Sequence, residues 1–328
     1  MSILVDIIMP TYNHVAFVGK AIESVLAQQT DFGYRLLIAD DCSTDGTQKV
    51  IREYAERHPD KIQVFCAPVH LGPLHKERLS LRLFTDSPAK YIHFLDGDDY
   101  WTSEHKLQKQ VNFLEEHPEC SLCLHDVTRI FEDGSIPPHK MYPSDQKEYS
   151  TLEDVLTAGV FPLPCGTLFR NGYFRELPDS FHTVLNGDWM FSVIAGRHGD
   201  FGFLNEAMAV YRVHSQGIWS RLDRLEGIKN HIKTYQAINR YLDFKYDPLL
   251  SARIATLRES VVELNMQNAR SCVDDYHTVI RRGEIKNGFR LLSQAIRSAP
   301  SEVLSPPRLL KVVKSSLRGI LFTQRIHC

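Results

Sequence analysis

The stretch KYIHFLDGDDYW, residues 90–101, runs an apolar strand pattern straight into three aspartates within four positions. Tyr91, Ile92, Phe94 and Leu95 have the character of a buried strand, whereas ionised carboxylates repel one another and favour solvated turns. Two readings are open. The aspartates form a hydrated turn, or they sit at a strand end and hold a hard divalent cation together with a diphosphate. Mg²⁺ and Mn²⁺ suit oxygen ligands, and they often take only one or two carboxylates plus phosphate oxygens.

Working outward from this stretch, strand and helix patterns alternate through the first 127 residues. Strands are expected at 4–9, 34–39, 62–66 and 90–95, with another at 121–127. Helices are expected at 15–28, 45–58, 74–84 and 104–117, and prolines at 59 and 118 stop two of them. Strands separated by helices of this length imply a largely parallel sheet covered on both faces, so the fold class is α/β. In such sheets ligands bind at the carboxyl ends of the strands. Three polar clusters fall there: PTYNH (10–14), DDCSTDGT (40–47) and DGDDYW (96–101).

The first strand exit carries no GxGxxG, and the chain has no GxxxxGK[ST], so neither a dinucleotide fingerprint nor a P-loop is present. Tyr12 and Asn13 instead offer an aromatic face and an amide suited to a nucleobase, against the plainer reading of an ordinary turn. Asp40 and Asp41 can accept from a uracil N3–H or from ribose hydroxyls, while Ser43 and Asp45 fit a cap of the following helix.

PTYN, DDCSTDGT and LDGDDYW, in this order and spacing, resemble the nucleotide-binding half of the family 2 inverting glycosyltransferases, which have the GT-A fold. The resemblance covers roughly residues 5–214. It implies nucleotide contacts from Pro10, Tyr12 and Asn13, with Asp40 or Asp41 as the carboxylate that reads uracil. It implies that Asp96, Asp98 and Asp99 form the metal and ribose-diphosphate motif, with Asp98, Asp99 and His214 at a Mn²⁺ or Mg²⁺ ion. HLGPLHKERLS (70–80) resembles a segment that usually reads NxGxxxARN. Gly72 and Arg78 match it, while His70 and Leu79 stand where asparagines are usual; Arg78 and Lys76 are then diphosphate partners.

In the second half, NGDW (186–189) resembles the motif in which an aspartate just before a helix deprotonates the acceptor hydroxyl, and that role falls to Asp188. A sugar hydroxyl is a poor nucleophile until a base accepts its proton. A helix N-cap is the plainer reading of the same residue. YRVHSQGIWS (211–220) resembles the stretch that follows the base, with His214 near the metal or diphosphate, against the plainer reading of a satisfied core histidine, and Gly217–Ser220 as a flap over the donor. Trp101 and Trp189 are acceptor-pocket candidates or core residues, and Pro164, Cys165 and Gly166 are expected to form a turn on the acceptor side.

Composition is compatible with this. The 328 residues are 43% hydrophobic and 24% charged, ordinary for a globular protein, and a formal net charge of −2 speaks against a nucleic-acid binder. The chain has no run of about 18 apolar residues that would span a membrane. MSILVDIIMP reads as a first strand rather than a signal peptide, and seven scattered cysteines suit a reducing cytoplasm. His117, Cys120, Cys123 and His125 have zinc-ligand chemistry but lack the two hooks and intervening loop of a structural site.

Beyond Arg221 helices are expected near 221–243, 250–272 and 277–298. The tail from Ser305 carries Leu309, Leu310, Val313, Leu317, Ile320 and Leu321 on one helical stripe ringed by Arg308, Lys311, Lys314 and Arg318. That pattern fits a helix on an anionic membrane surface or one docked on protein. The expected organisation is a GT-A domain over 1–220, with a nucleotide-binding half (1–127) and an acceptor half (128–220), then a helical region over 221–328. The function expected is transfer of a sugar from a UDP donor to a glycan or lipid-linked acceptor in surface polysaccharide synthesis, in the cytoplasm, either free or peripheral on the inner face of the membrane. A sugar nucleotidyltransferase would open with a glycine-rich basic loop where PTYNH stands, and a silent sugar- or nucleotide-binding module would not need both Asp98 and Asp188.

Overall fold

Nine residues of almost unbroken apolar character make β1 (Ile3–Thr11), whose central positions are fully buried. The computed structural model describes residues 2–75, 77–282 and 284–299. β1 lies between β2 (Gly33–Asp40) and β4 (Tyr91–Phe94), parallel to both, and β3 (Ile62–Cys66) extends the sheet beyond β2. The chain therefore builds outward from β1 to β3 and returns to the other side of β1 with β4. This reversal of direction opens a crevice at the carboxyl ends of β1 and β4.

The connecting helices are α1 (Val18–Leu26), α2 (Thr47–Arg57), α3 (Leu79–Thr85) and α4 (Lys106–Glu116). α1 lays Val18, Ala21, Ile22 and Val25 on the sheet, and α4 buries Leu107, Val111 and Leu114. The short β5 (Tyr100–Trp101) follows the aspartate cluster. β6 (Cys120–Phe131) and β10 (Asp200–Val213) are long parallel neighbours, and the antiparallel β9 (Thr167–Arg170) joins β6 to β4. The order is β3-β2-β1-β4-β9-β6-β10-β5, with β7 (His139–Lys140) on β6 and β8 (Tyr149–Ser150) on β10. The fold class is thus α/β with a large, mostly parallel sheet. Two further helices flank its second half: α5 (Leu152–Ala158), capped by Thr151 and Asp154 in a reciprocal capping box, and α6 (Gly187–Gly196).

Two differences from the sequence expectation have local causes. The helix expected from 74 starts only at Leu79. Gly72 has a left-handed φ of +76°, and the amides of Leu71 and Gly72 donate to the Asp41 carboxylate, so the preceding segment is a loop tied to β2. The helices expected at 250–272 and 277–298 are instead α9 (Asp247–Arg281) and α10 (Ile285–Ser298), since no Pro or Gly interrupts the chain between Pro248 and Gly283. α7 (Ile218–Arg221) and α8 (Arg224–Tyr241) precede them.

The chain forms two compact units. Among the described residues, one comprises those up to Asp223 together with Lys233–Leu250; the other comprises Arg224–Ile232 and 251–299. The second unit has its own small core, where Val273, Tyr276 and Ile280 meet Ala295 and Ala299. Gly288 is needed there because a Cβ would stand 2.5 Å from Ile280. Among the described residues no helix is long and apolar enough to cross a membrane. The basic stripe of the tail lies outside the described residues.

Candidate active site

The exits of β1, β2 and β4 converge because their connecting loops are laced together. The amides of Asn13, His14 and Val15 donate to Ser43, Thr47 and Asp45, at 2.8, 2.9 and 3.0 Å. Asn13 has a φ of +56°, and its side-chain oxygen accepts from the Thr44 amide. Pro10 pairs with Ala39 in the β1–β2 register. The Pro10 carbonyl accepts from the Gly97 amide at 3.0 Å, which brings the aspartate loop onto β1. Gly97 permits this approach, since a Cβ would meet Thr11 at 2.6 Å and His14 at 2.9 Å.

The three aspartates are not equivalent. Asp98 Oδ2 lies 3.0 Å from His214 Nε2 and 3.6 Å from His14 Nε2. Burial pushes the Asp98 carboxyl up, but the His214 hydrogen bond and the charges of His14 and His214 outweigh it and hold the group ionised. Asp96 is half-buried. Burial, then the charges of Asp98 and Asp188, push it up to about 8 against the pull of Arg78. Asp99, expected beside Asp98 as a metal ligand, is turned inward. It is 2% exposed, accepts from the Arg212 amide of β10 at 2.9 Å, and is pushed far above the carboxylate range by burial and by its two neighbours. Its place is to tie the loop to β10.

Asp40 and Asp41 also divide. Asp40 is fully buried and accepts from Thr11 Oγ1, the Ser43 amide and hydroxyl, and Gln48 Nε2. A carboxylate has about four acceptor sites, so Asp40 is spent on the protein. Asp41 is partly exposed; its carboxylate accepts from the Leu71 and Gly72 amides, and His70 Nδ1 lies 2.8 Å from Oδ2 and 3.2 Å from the Asp41 carbonyl, leaving capacity on Oδ1. Tyr12, 37% exposed, stacks on His70 with ring centroids 3.9 Å apart.

Asp188 lies in the first turn of α6, where the neighbouring backbone amides favour its ionised form. Burial nevertheless raises it to about 6. The Arg78 guanidinium feels the charges of Asp96 and Asp41, donates to the Pro73 carbonyl, and stands 3.6 Å from where a Gly187 Cβ would be. Asp188, Arg78 and Asp96 therefore share one crevice, although they come from three separate segments. Lys76 lies outside the described residues.

Trp101 does not line this crevice. It is 4% exposed and donates from Nε1 to the Cys165 carbonyl, so it is a core residue. Trp189 is half-buried and stacks on Phe161 at 4.3 Å. Pro164–Gly166 forms a single 3₁₀ turn. Cys120, Cys123 and His125 are buried in β6, and His125 Nδ1 bonds the Asp126 carbonyl. Among the described residues no group of three His, Cys, Asp or Glu side chains is arranged to hold a metal ion. His14 is the site residue that sequence reading passed over, and its signal was its place inside PTYNH at the β1 exit. Burial pulls its imidazole below the ordinary range against the pull of Asp98. His14 and His214 each keep a buried Nδ1 without a hydrogen-bond partner. Asp98, held ionised, with His214 and His14 at 3.0 and 3.6 Å, brings together one carboxylate and two imidazoles, ligand types that divalent cations accept.

The sequence matches the glycosyl transferase family 2 profile over residues 6–177. It is 34% identical over 217 residues to the protein Rv1520 of Mycobacterium tuberculosis, covering 65% of this chain and 60% of that protein. The chain thus spans less than two thirds of that relative's length. It is 31% identical over 132 residues to the putative teichuronic acid biosynthesis glycosyltransferase TuaG of Bacillus subtilis, covering 40% of this chain and 50% of TuaG. The crystal structure of S. aureus TarS 1–349 in complex with UDP-GlcNAc superposes with a TM-score of 0.60 at 17% identity, covering 92% of this chain and 90% of that one. The fold is therefore of the GT-A type, and the chain belongs to glycosyl transferase family 2.

Proposed function

We propose that this chain is an inverting glycosyltransferase. It moves a sugar from a UDP donor to a hydroxyl of a glycan or lipid-linked acceptor, in the synthesis of a bacterial surface polysaccharide. The observation that carries the reading is the convergence of Asp188 on the carboxylates of the β4 exit, felt as the push of its charge on Asp96. A carboxyl raised to about 6 is ionised at neutral pH yet basic enough to take a proton from an attacking hydroxyl. Tyr12 and Asn13 bind the base beside Pro10, Asp41 accepts from its N–H, and Arg78 faces the diphosphate. Asp98 and His214, with His14, hold the divalent ion. When bound, that ion neutralises charge on the departing diphosphate. The Asp188 carboxylate orients the acceptor hydroxyl and removes its proton, and attack from the face opposite the diphosphate inverts the anomeric carbon. Residues 1–127 form the donor half and 128–220 the acceptor half of this proposed domain.

A thermal-shift screen of UDP-, GDP- and dTDP-sugars with and without Mn²⁺ tests the reading. Ligand at about 100 times its Kd stabilises a protein by about 2.7 kcal/mol. A shift of several degrees is expected with a UDP sugar plus Mn²⁺, and Asp98→Ala loses it. Equal shifts with and without chelator would refute the metal assignment, and no shift with any donor would refute the donor class.

A further inference from the structure

The contact between Tyr12 and His70 is a nearly parallel stack, with an interplanar angle of 17° and a centroid distance of 3.9 Å. Both rings are accessible, at 37% and 46% exposure. They stand where β1 leaves the sheet, at the carboxyl edge that the donor is proposed to occupy. At this separation the space between them is full. A nucleobase needs two stacking layers of about 3.5 Å each to enter between two rings.

The two rings are held differently. Tyr12 follows β1 directly, and its neighbour Asn13 is fixed through Ser43 and Thr44. His70 lies between β3 and α3, in a segment without strand or helix. It is tethered by Nδ1, 2.8 Å from Asp41 Oδ2, while the next two amides are pinned to the same carboxylate. The Leu71 and Gly72 amides hold the backbone of the loop near Tyr12, and the ring shifts about its side-chain bonds once its Nδ1 contacts to the Asp41 carboxylate and carbonyl are released.

We propose that His70 is the second wall of a nucleobase clamp, moving off Tyr12 by one ring thickness to admit the base between the two rings. This rests on the donor reading given above. The exchange gives up one ring–ring stack and the half-exposed Nδ1 contact to Asp41 for two ring–base stacks; an exposed contact of that kind is worth less than a base–aromatic stack, so the bound state is favoured. A histidine whose only task was to cover Tyr12 would do the opposite, since the base would have to displace it.

Titration of the full chain with UDP and Mn²⁺ by calorimetry, with pyrophosphate as the probe that lacks a base, separates these cases. His70→Ala and His70→Asn are expected to weaken UDP binding about tenfold, as loss of one base–aromatic stack does. His70→Phe keeps the ring and stays within about twofold of the parent. Pyrophosphate binding is unchanged in all three. Unaltered or tighter UDP binding by His70→Ala overturns the clamp, and loss in His70→Phe equal to that in His70→Ala overturns stacking in favour of a role through Asp41. A parent protein that binds UDP no better than pyrophosphate overturns the donor reading itself. Thermal unfolding of each variant, expected within about 2 °C of the parent for an exposed loop position, shows that the fold is retained.

Discussion

The Asp188 carboxyl is the residue whose chemistry and stability pull in opposite directions. Its folded value of about 6 lies above the ordinary 3.8, so the folded chain takes up this proton more readily than the unfolded one. The ionised form therefore costs stability, with no cost below about pH 4, a growing cost up to about pH 6, and the full cost above it. Asp188→Asn is expected to lower turnover by about 10² or more while UDP and Mn²⁺ binding persist. The same substitution raises Tm by a few degrees at pH 8 and leaves it unchanged near pH 4. Unchanged turnover in a calibrated assay would remove Asp188 from the mechanism. For the parent enzyme at saturating Mn²⁺, kcat rises with pH through about 6 and then levels, because the base must be ionised. The NGDW motif pointed to this aspartate in sequence, but its burial and its approach to Asp96 depend on the packing of α6.

Elements position these groups through their ends. Gly97 is the point where the β4 exit rests on the β1 exit, with a Cβ position 2.6 Å from Thr11 and 2.9 Å from His14. Gly97→Ala is expected to push the aspartate loop away from β1. UDP binding should fall about tenfold or more and Tm by a few degrees, while the far-ultraviolet circular dichroism spectrum stays that of the parent. Retained binding would mean that the loop absorbs the methyl group without moving Asp98. The first four strands, β1 to β4, were legible from their apolar runs within a residue or two, since hydrophobic periodicity is local. The 14-residue β10 was not, because the segment around Asn205 and Glu206 is exposed and shifts register against β6, which breaks the pattern that marks a strand. The start of α3 was misplaced because Asp41, thirty residues earlier, holds the amides of Leu71 and Gly72.

The molecule as a whole joins this sheet domain to a helical region and a basic tail. We propose that the tail, whose sequence sets apolar residues among basic ones over 309–321, contacts an anionic membrane surface. Removal of residues 303–328 is expected to abolish cosedimentation with anionic liposomes at low salt, and to leave turnover on a water-soluble acceptor unchanged. Undiminished sedimentation would assign the stripe to a protein contact instead.

Alternating strands and helices, the three polar clusters at one sheet edge and the family were all readable from the sequence alone. Strand periodicity is written locally, and the exits of parallel strands must share an edge. Which aspartate does what was decided only by tertiary structure. DGDDYW presents three like carboxylates, yet one faces His14 and His214, one faces Asp188 and Arg78, and one is folded inward onto β10. DDCSTDGT presents two, of which Asp40 is consumed by internal donors. A carboxylate's role depends on how many of its acceptor sites the protein fills and how much water it keeps. Both are set by residues distant along the chain.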